Sequence, residues 1–180
     1  MPEFLLETWE DELPMLAGDG EYMPVLAATL AKYGVELTVE ELYAAVWLRL
    51  EVVAESVALV RSLRQAGYGV HLATNQAKDR AAYMRQVLGY DDLFDVSCYS
   101  CELGVTKPDR EFFRRALDQI GAHASEVLFI DDTMRNVEAA REAGLCAERW
   151  HFGDGCQVLC GLIANHGLRL DLAPEAVGEQ

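Results

Sequence analysis

The chain predicts an α/β fold: a parallel sheet with helices on both faces, three layers in all, and a small helical segment placed ahead of it. Three observations carry this. From Ser56 onward helical and strand-like patterns alternate in short units. The strand-like runs are continuously apolar, as in Val127-Leu128-Phe129-Ile130, the mark of strands buried on both faces. Before Ser56 the apolar residues recur at helical spacing only.

The elements follow in order. Phe4, Leu5, Leu6, Trp9 and Leu13 form one helical stripe, Val25, Leu26, Leu30 and Tyr33 a second that Gly34 ends, and Gly18-Asp19-Gly20-Glu21 is the turn between them. Thr38 and Glu41 make a capping box, with Leu42, Ala45, Val46 and Leu50 following on one face. Trp9 and Trp47 read as packing residues. Val57, Val60 and Leu63 mark a helix that stops at Gly67, and a strand over 68–73 ends in Thr74-Asn75-Gln76. A helix over 77–88 leads to a strand over 96–99, and a helix over 109–120 turns Phe112, Phe113, Ala116 and Leu117 inward. A strand over 127–131, a helix closed by Gly144 and a strand over 146–150 complete the pattern. The organisation is thus a helical cap segment over 1–55, an α/β core over 56–167, and a tail over 168–180 expected to be loose.

The 180 residues are 51% hydrophobic and 25% charged, enough for an ordinary domain core. A formal net charge of -15, with no cluster of Lys and Arg, argues against a nucleic-acid partner. No apolar run approaches the ~20 residues of a membrane span. The opening Met-Pro-Glu-Phe-Leu-Leu-Glu lacks a signal peptide's basic region and apolar core, so a cytoplasmic protein without a membrane partner is expected. The oligomeric state is left open by the sequence, a homo-oligomer included. The five cysteines read as reduced thiols; Cys98 and Cys101 form a C-x-x-C with no second pair, and packing is a plainer account of them than zinc.

Three polar signals sit beyond apolar strands or at a helix entrance: Thr74-Asn75, Lys107, and Asp131-Asp132. Carboxyl ends of parallel strands face the crevice where ligands bind. Adjacent carboxylates there suit Mg2+, which takes oxygen ligands from one or two acids together with phosphate and water. Alternatively Asp132 or Thr133 caps the helix that starts near Met134, which accounts for one acid and leaves the other. A lone Lys is usually solvated, and Thr-Asn after a strand is usually a turn. Taken together, a hydroxyl, an amide, an ammonium and paired acids suit phosphoryl chemistry, which depends on positioning and charge neutralisation. Bacterial receiver domains use similar groups, but with the acid pair first along the chain; here it comes last.

Leu72-Ala73-Thr74-Asn75 resembles the second motif of the haloacid dehalogenase-like (HAD) hydrolases, Gly104 to Pro108 with Lys107 the third, and Leu128 to Asn136 the fourth. Leu93-Phe94-Asp95 and the run from Asn136 to Gly144 are similar too, so the resemblance covers about residues 56–152. It implies a Rossmann-like core, Mg2+, and hydrolysis of a small phosphorylated molecule through an aspartyl-phosphate. Thr74 would then hold the phosphoryl group with Asn75 beside it, Lys107 would offset charge, and Asp131 with Asp132 would hold the metal. Residues 1–55 resemble the helical cap that such proteins insert after their first strand.

The family's first motif, an apolar strand followed by D-x-D that supplies the nucleophile, has no counterpart. Asp19-Gly20 has Ala17 where the first acid belongs, and Phe4-Leu5-Leu6-Glu7 has Trp9 where the second belongs. Removing such a strand forfeits some five buried side chains at ~1.5–3 kcal/mol each, roughly 8–15 kcal/mol, as much as a whole domain's stability. A longer chain with the strand ahead of Met1, a strand from the N-terminal segment, or a partner chain could fill that place; the first is expected. The resulting expectation is a magnesium-dependent phosphatase, inactive as written. The alternatives are a non-catalytic HAD-like protein that binds a phosphate-bearing ligand, and an inert fragment. Dehalogenation, which needs no metal, fits the acid pair less well.

Overall fold

The computed structural model describes residues 3–169. Three helices come first: α1 (Glu3–Leu16), α2 (Tyr22–Tyr33) and α3 (Val39–Val46). Gly34 ends α2 in the left-handed conformation, at φ 62°. The capping box of α3 is formed: Glu41 N–H donates to Thr38 Oγ1 at 3.2 Å, and Thr38 N–H to Glu41 Oε2 at 2.9 Å. Tyr22, Leu26, Leu30, Leu42, Tyr43 and Trp47 form the shared core, with Tyr43 stacked on Trp47.

The face of α1 departs from expectation. Thr8 is fully buried, donating to Leu5 O while Tyr22 Oη donates to Thr8 O at 2.7 Å. Leu6, Trp9 and Leu13, three residues of the anticipated inward stripe, are 49%, 42% and 62% exposed. Of the two tryptophans read as packing residues, Trp47 is buried and Trp9 is not. Helical spacing fixes which residues share a face, but not which face the neighbours cover.

The α/β part follows with α4 (Ala54–Gln65), β1 (His71–Thr74), α5 (Lys78–Gln86), α6 (Tyr90–Leu93), β2 (Val96–Tyr99), α7 (Ser100–Leu103) and α8 (Arg110–Ile120). It continues with β3 (Leu128–Asp131), α9 (Met134–Glu142), β4 (Cys146–Arg149) and α10 (Cys156–Asn165). The short α6 and α7 and the apolar α10 were not anticipated. Phe112, Phe113, Cys98, Phe129, Val137 and Ala147 belong to one core on one side of the strands. Leu59 of α4 with Leu159 and Ile163 of α10 packs against Leu128 and Ile130 on the other. The buried Cys98 in the first of these cores and Cys101, packed with Ala81, Met84 and Tyr99, are free thiols.

The strands form two parallel ladders. β1 pairs with β2, His71 opposite Val96 and Thr74 opposite Tyr99. β3 pairs with β4, Leu128 opposite Cys146 and Asp131 opposite Arg149. Among the described residues no ladder joins β1 to β3. Between them lies a cavity of about 900 Å3, lined by His71, Leu72 and Ala73 from β1 and by Leu128, Phe129 and Ile130 from β3. Helices thus pack on both sides of the strands, a three-layer arrangement. Residues 170–180, most of the tail expected to be loose, lie outside the described residues.

Candidate active site

Each ladder ends in a polar residue at the same edge of the molecule. Thr74 is the last residue of β1 and Asp131 the last of β3. Lys107 stands in the turn between α7 and α8 and reaches across from one ladder to the other. Its Nζ donates to Ala73 O at 2.8 Å and to Asp131 Oδ2 at 2.6 Å. Both side chains of this ion pair are almost fully buried, at 9% and 7% exposure. The ammonium also lies 5.4 Å from the ring centroid of Phe129, so apolar packing excludes water from one side of the pair.

Asp131 accepts three hydrogen bonds. Besides Lys107, its Oδ1 accepts from Thr133 N–H at 2.9 Å and from Asn136 Nδ2 at 3.0 Å. Burial alone would raise its pKa; the Lys107 charge and hydrogen bond, with those from Thr133 and Asn136, outweigh it and hold the carboxyl below the usual carboxylate range. The capping alternative is thereby answered. Thr133 occupies the N-cap position of α9 without a side-chain cap bond, and Asp131, not Asp132, serves the first turn. Asp132 is exposed; its Oδ1 accepts from Thr133 Oγ1 at 3.1 Å, and its backbone oxygen accepts from Arg149 Nε at 3.1 Å.

Asn75 locks the lysine turn in place. Its Nδ2 donates to Lys107 O, and Lys107 N–H donates to its Oδ1, both at 2.9 Å. Thr74 Oγ1 accepts from Gln76 Nε2 at 3.0 Å, and Gln76 N–H donates to the buried Ser100 Oγ at 2.9 Å. All five anticipated residues thus fall at one edge: Asn75, Lys107 and Asp131 are joined by direct bonds, Thr74 lies between Ala73 and Asn75, and Asp132 follows Asp131. Asn136, Gln76 and Ser100 were not assigned roles from the sequence. Asn136 could have been found, since it lies in the first turn of the helix that follows the acids; Ser100 follows the end of a different strand, β2, and leaves no sequence signal.

Among the described residues no three His, Cys, Asp or Glu side chains cluster as a metal site. Two adjacent carboxylates still suit Mg2+, for which one or two acids commonly suffice when phosphate and water complete the shell.

A family model described as haloacid dehalogenase-like hydrolase matches residues 6–144, more than three quarters of the chain. A sesquiterpene phosphatase of Aspergillus oryzae is 36% identical over 92 residues, 51% of this chain and 47% of that protein. An N-acetylmuramic acid 6-phosphate phosphatase of Pseudomonas aeruginosa is 34% identical over 86 residues, 48% of this chain and 38% of that protein. The chain thus spans less than half the length of these relatives. A HAD family enzyme from Bacteroides thetaiotaomicron, solved with magnesium and inorganic phosphate, superposes with a TM-score of 0.74 over 87% of this chain and 84% of that one, at 20% identity. That likeness concerns the fold, a Rossmann-like α/β arrangement. Two ladders carrying their polar residues to one edge, a lysine bridging them, and a family match across most of the length lead to one conclusion: the chain belongs to the haloacid dehalogenase-like hydrolases.

Proposed function

We propose that this chain carries the phosphate-handling side of a magnesium-dependent phosphatase acting on a small phosphate ester. The observation that supports this most is the buried Lys107–Asp131 pair held at the ends of β1 and β3, beside Thr74. In this reading Thr74 Oγ1 donates to an equatorial phosphoryl oxygen, and the Lys107 ammonium offsets the charge that gathers as the ester bond breaks. Asn75 acts at one remove, fixing the Lys107 backbone from both sides. Asp131 and Asp132 would hold Mg2+, which when bound supplies further neutralisation of phosphate charge. Covalent transfer through an aspartyl-phosphate needs a carboxylate whose oxygen attacks phosphorus as the alcohol leaves with a proton; water then cleaves the acyl phosphate. No residue here is assigned that carboxylate.

A second reading, phosphate binding without turnover, is favoured by a specific observation: among the described residues Asp131 is the acid in ion-pair contact with Lys107, and hydrogen bonds from Thr133 and Asn136 already fix its carboxylate. The names of the two phosphatase relatives support the first reading at the level of phosphate-ester chemistry.

The deciding experiment is hydrolysis of an aryl phosphate by the 180-residue chain with and without Mg2+, beside Asp131→Asn. Mg2+-dependent turnover that the substitution abolishes supports the enzyme. A folded sample without turnover that binds inorganic phosphate only when Mg2+ is present supports the second reading. Neither turnover nor phosphate binding defeats both.

A further inference from the structure

We propose that Cys156 and Cys160, on the side of α10 that packs toward β3, form a two-thiolate binding site for a soft monovalent ion of the Cu(I) class. This goes beyond the phosphatase reading and does not depend on it.

The helix sets the spacing. Cys156 is the first residue of α10 and Cys160 stands one turn further on, so both thiols lie on one face with their Cβ atoms about 5–6 Å apart. Both pack against the apolar cluster of Leu59, Leu159 and Ile163, which also takes in Leu128 and Ile130 of β3. Both are free thiols and neither is fully buried, so an ion can reach them from solvent. Burial and the nearness of Cys160, with a smaller contribution from the charge of Glu55, hold the Cys156 thiol above its ordinary value; each sulfur is close enough to feel the other. The C-x-x-C lacks this arrangement. Cys98 belongs to the core with Phe112 and Phe129, where its thiol donates to Gln119 Oε1, and Cys101 belongs to the separate cluster of Ala81 and Met84.

Distance decides against a disulfide. That bond needs Cβ atoms about 3.5–4.5 Å apart, closer than one turn of a regular helix holds them, so closing it would distort α10. An ion standing between the sulfurs lengthens the bridge by two metal–sulfur bonds, each about 2.3 Å when the metal is zinc, and so suits the helical spacing.

Ligand number and softness decide the ion. Zinc takes four ligands in a closed site, and among the described residues no third His, Cys, Asp or Glu joins the pair. Hard ions such as Mg2+ take oxygen, which separates this site from Asp131 and Asp132. Thiolates select soft ions, and Cu(I), a filled-shell monovalent ion, is satisfied by two of them. On binding, two S–H bonds break, two Cu–S bonds form and two protons leave to water, with no change of oxidation state. The complex keeps one negative charge. The first turn of α10 suits that charge, because it holds no acidic residue and Gly155 supplies no side-chain cap to its N–H groups.

The test is anaerobic titration of the reduced 180-residue chain with Cu(I), in competition with the chromophoric chelator bicinchoninate. One Cu(I) per chain is expected, with the same affinity in Cys146→Ser. Cys156→Ser and Cys160→Ser are each expected to weaken binding by at least about a hundredfold, the upper end of what losing an outer-shell partner costs. A further variant, Cys160→Ser with Gly161→Cys, keeps the number of thiols but moves one of them about 100° round the helix. A Cβ at 161 meets no atom within 4 Å, so the fold accepts it, and this variant is expected to bind as weakly as Cys160→Ser. Far-ultraviolet circular dichroism is read on each protein, and a Ser variant that loses its helical signal is replaced by the corresponding Ala variant. The proposal is overturned if the chain does not compete with the chelator, if either single variant or the shifted-cysteine variant keeps the affinity, or if Cys146→Ser loses it. It is equally overturned if the unmodified chain binds as tightly in concentrated urea, where α10 is unfolded. Phosphatase activity enters none of these readouts.

Discussion

Lys107 and Asp131 form a buried ion pair whose loss is costly. Removing one partner of a buried pair leaves the other charge unpaired in an apolar setting, so Lys107→Met is expected to destabilise the fold by about 3–5 kcal/mol in urea denaturation. The pair also sets an acid limit. Asp131 has its carboxyl depressed on folding, so its contribution is fully present above the ordinary value near ~4 and is lost as pH falls through the folded value. In Asp131→Asn that part of the acid sensitivity disappears, which stability curves between about pH 5 and 2 would show. Glu12 works in the opposite sense. Burial raises its pKa, against the hydrogen bond from Trp47 Nε1 and the nearby charge of Arg80. Its contribution is present at low pH and is lost as pH rises through the folded value, so Glu12→Gln, which can still accept from Trp47, is expected to raise Tm at pH 7. An unchanged or lower Tm there would count against this account of the buried acid. Chemical type and order along the chain were enough to nominate Thr74, Asn75, Lys107, Asp131 and Asp132. They could not show that Asn75 acts on the Lys107 backbone or that Lys107 pairs with Asp131, because those are contacts across 32 and 24 residues of chain.

At the scale of elements, boundaries written by backbone chemistry were readable and faces were not. The capping box at Thr38 formed where the spacing placed it, and Thr38→Ala is expected to cost about 1 kcal/mol. Leu26 is fully buried between α1 and α3, so Leu26→Ala should cost about 2–5 kcal/mol. Chemical denaturation of the two variants side by side checks the ranking; a Thr38→Ala loss as large as that of Leu26→Ala would mean the cap does more than close a helix. The strand over 127–131 was legible because a continuous apolar run has few other homes, and that over 96–99 because its residues alternate. The first strand begins at His71, three residues later than its apolar run suggested, because Val70 instead sends its N–H to the Asp95 carboxylate. The helix at Cys156–Asn165 was overlooked although its apolar residues cover β3; its small and sulfur-bearing residues carry little propensity signal.

At the scale of the whole molecule, the formal net charge of -15 outweighs the scattered surface ion pairs, each worth ~1 kcal/mol or less. Raising salt from about 0.05 M to about 0.5 M screens that self-repulsion and is expected to raise Tm by a few degrees; a fall would mean the ion pairs dominate. The sequence by itself determined the fold class, the strand-end location of the polar residues and the family, because these depend on local pattern and order along the chain. Only the tertiary structure decided how the site is wired and how the strands pair. It shows the sheet as two ladders with about 900 Å3 between them, bridged at one edge by Lys107, and it turns the α1 stripe outward. The physical reason is that hydrogen-bond partners, burial and cavities belong to pairs of segments distant in sequence, and no single segment records what lies across from it.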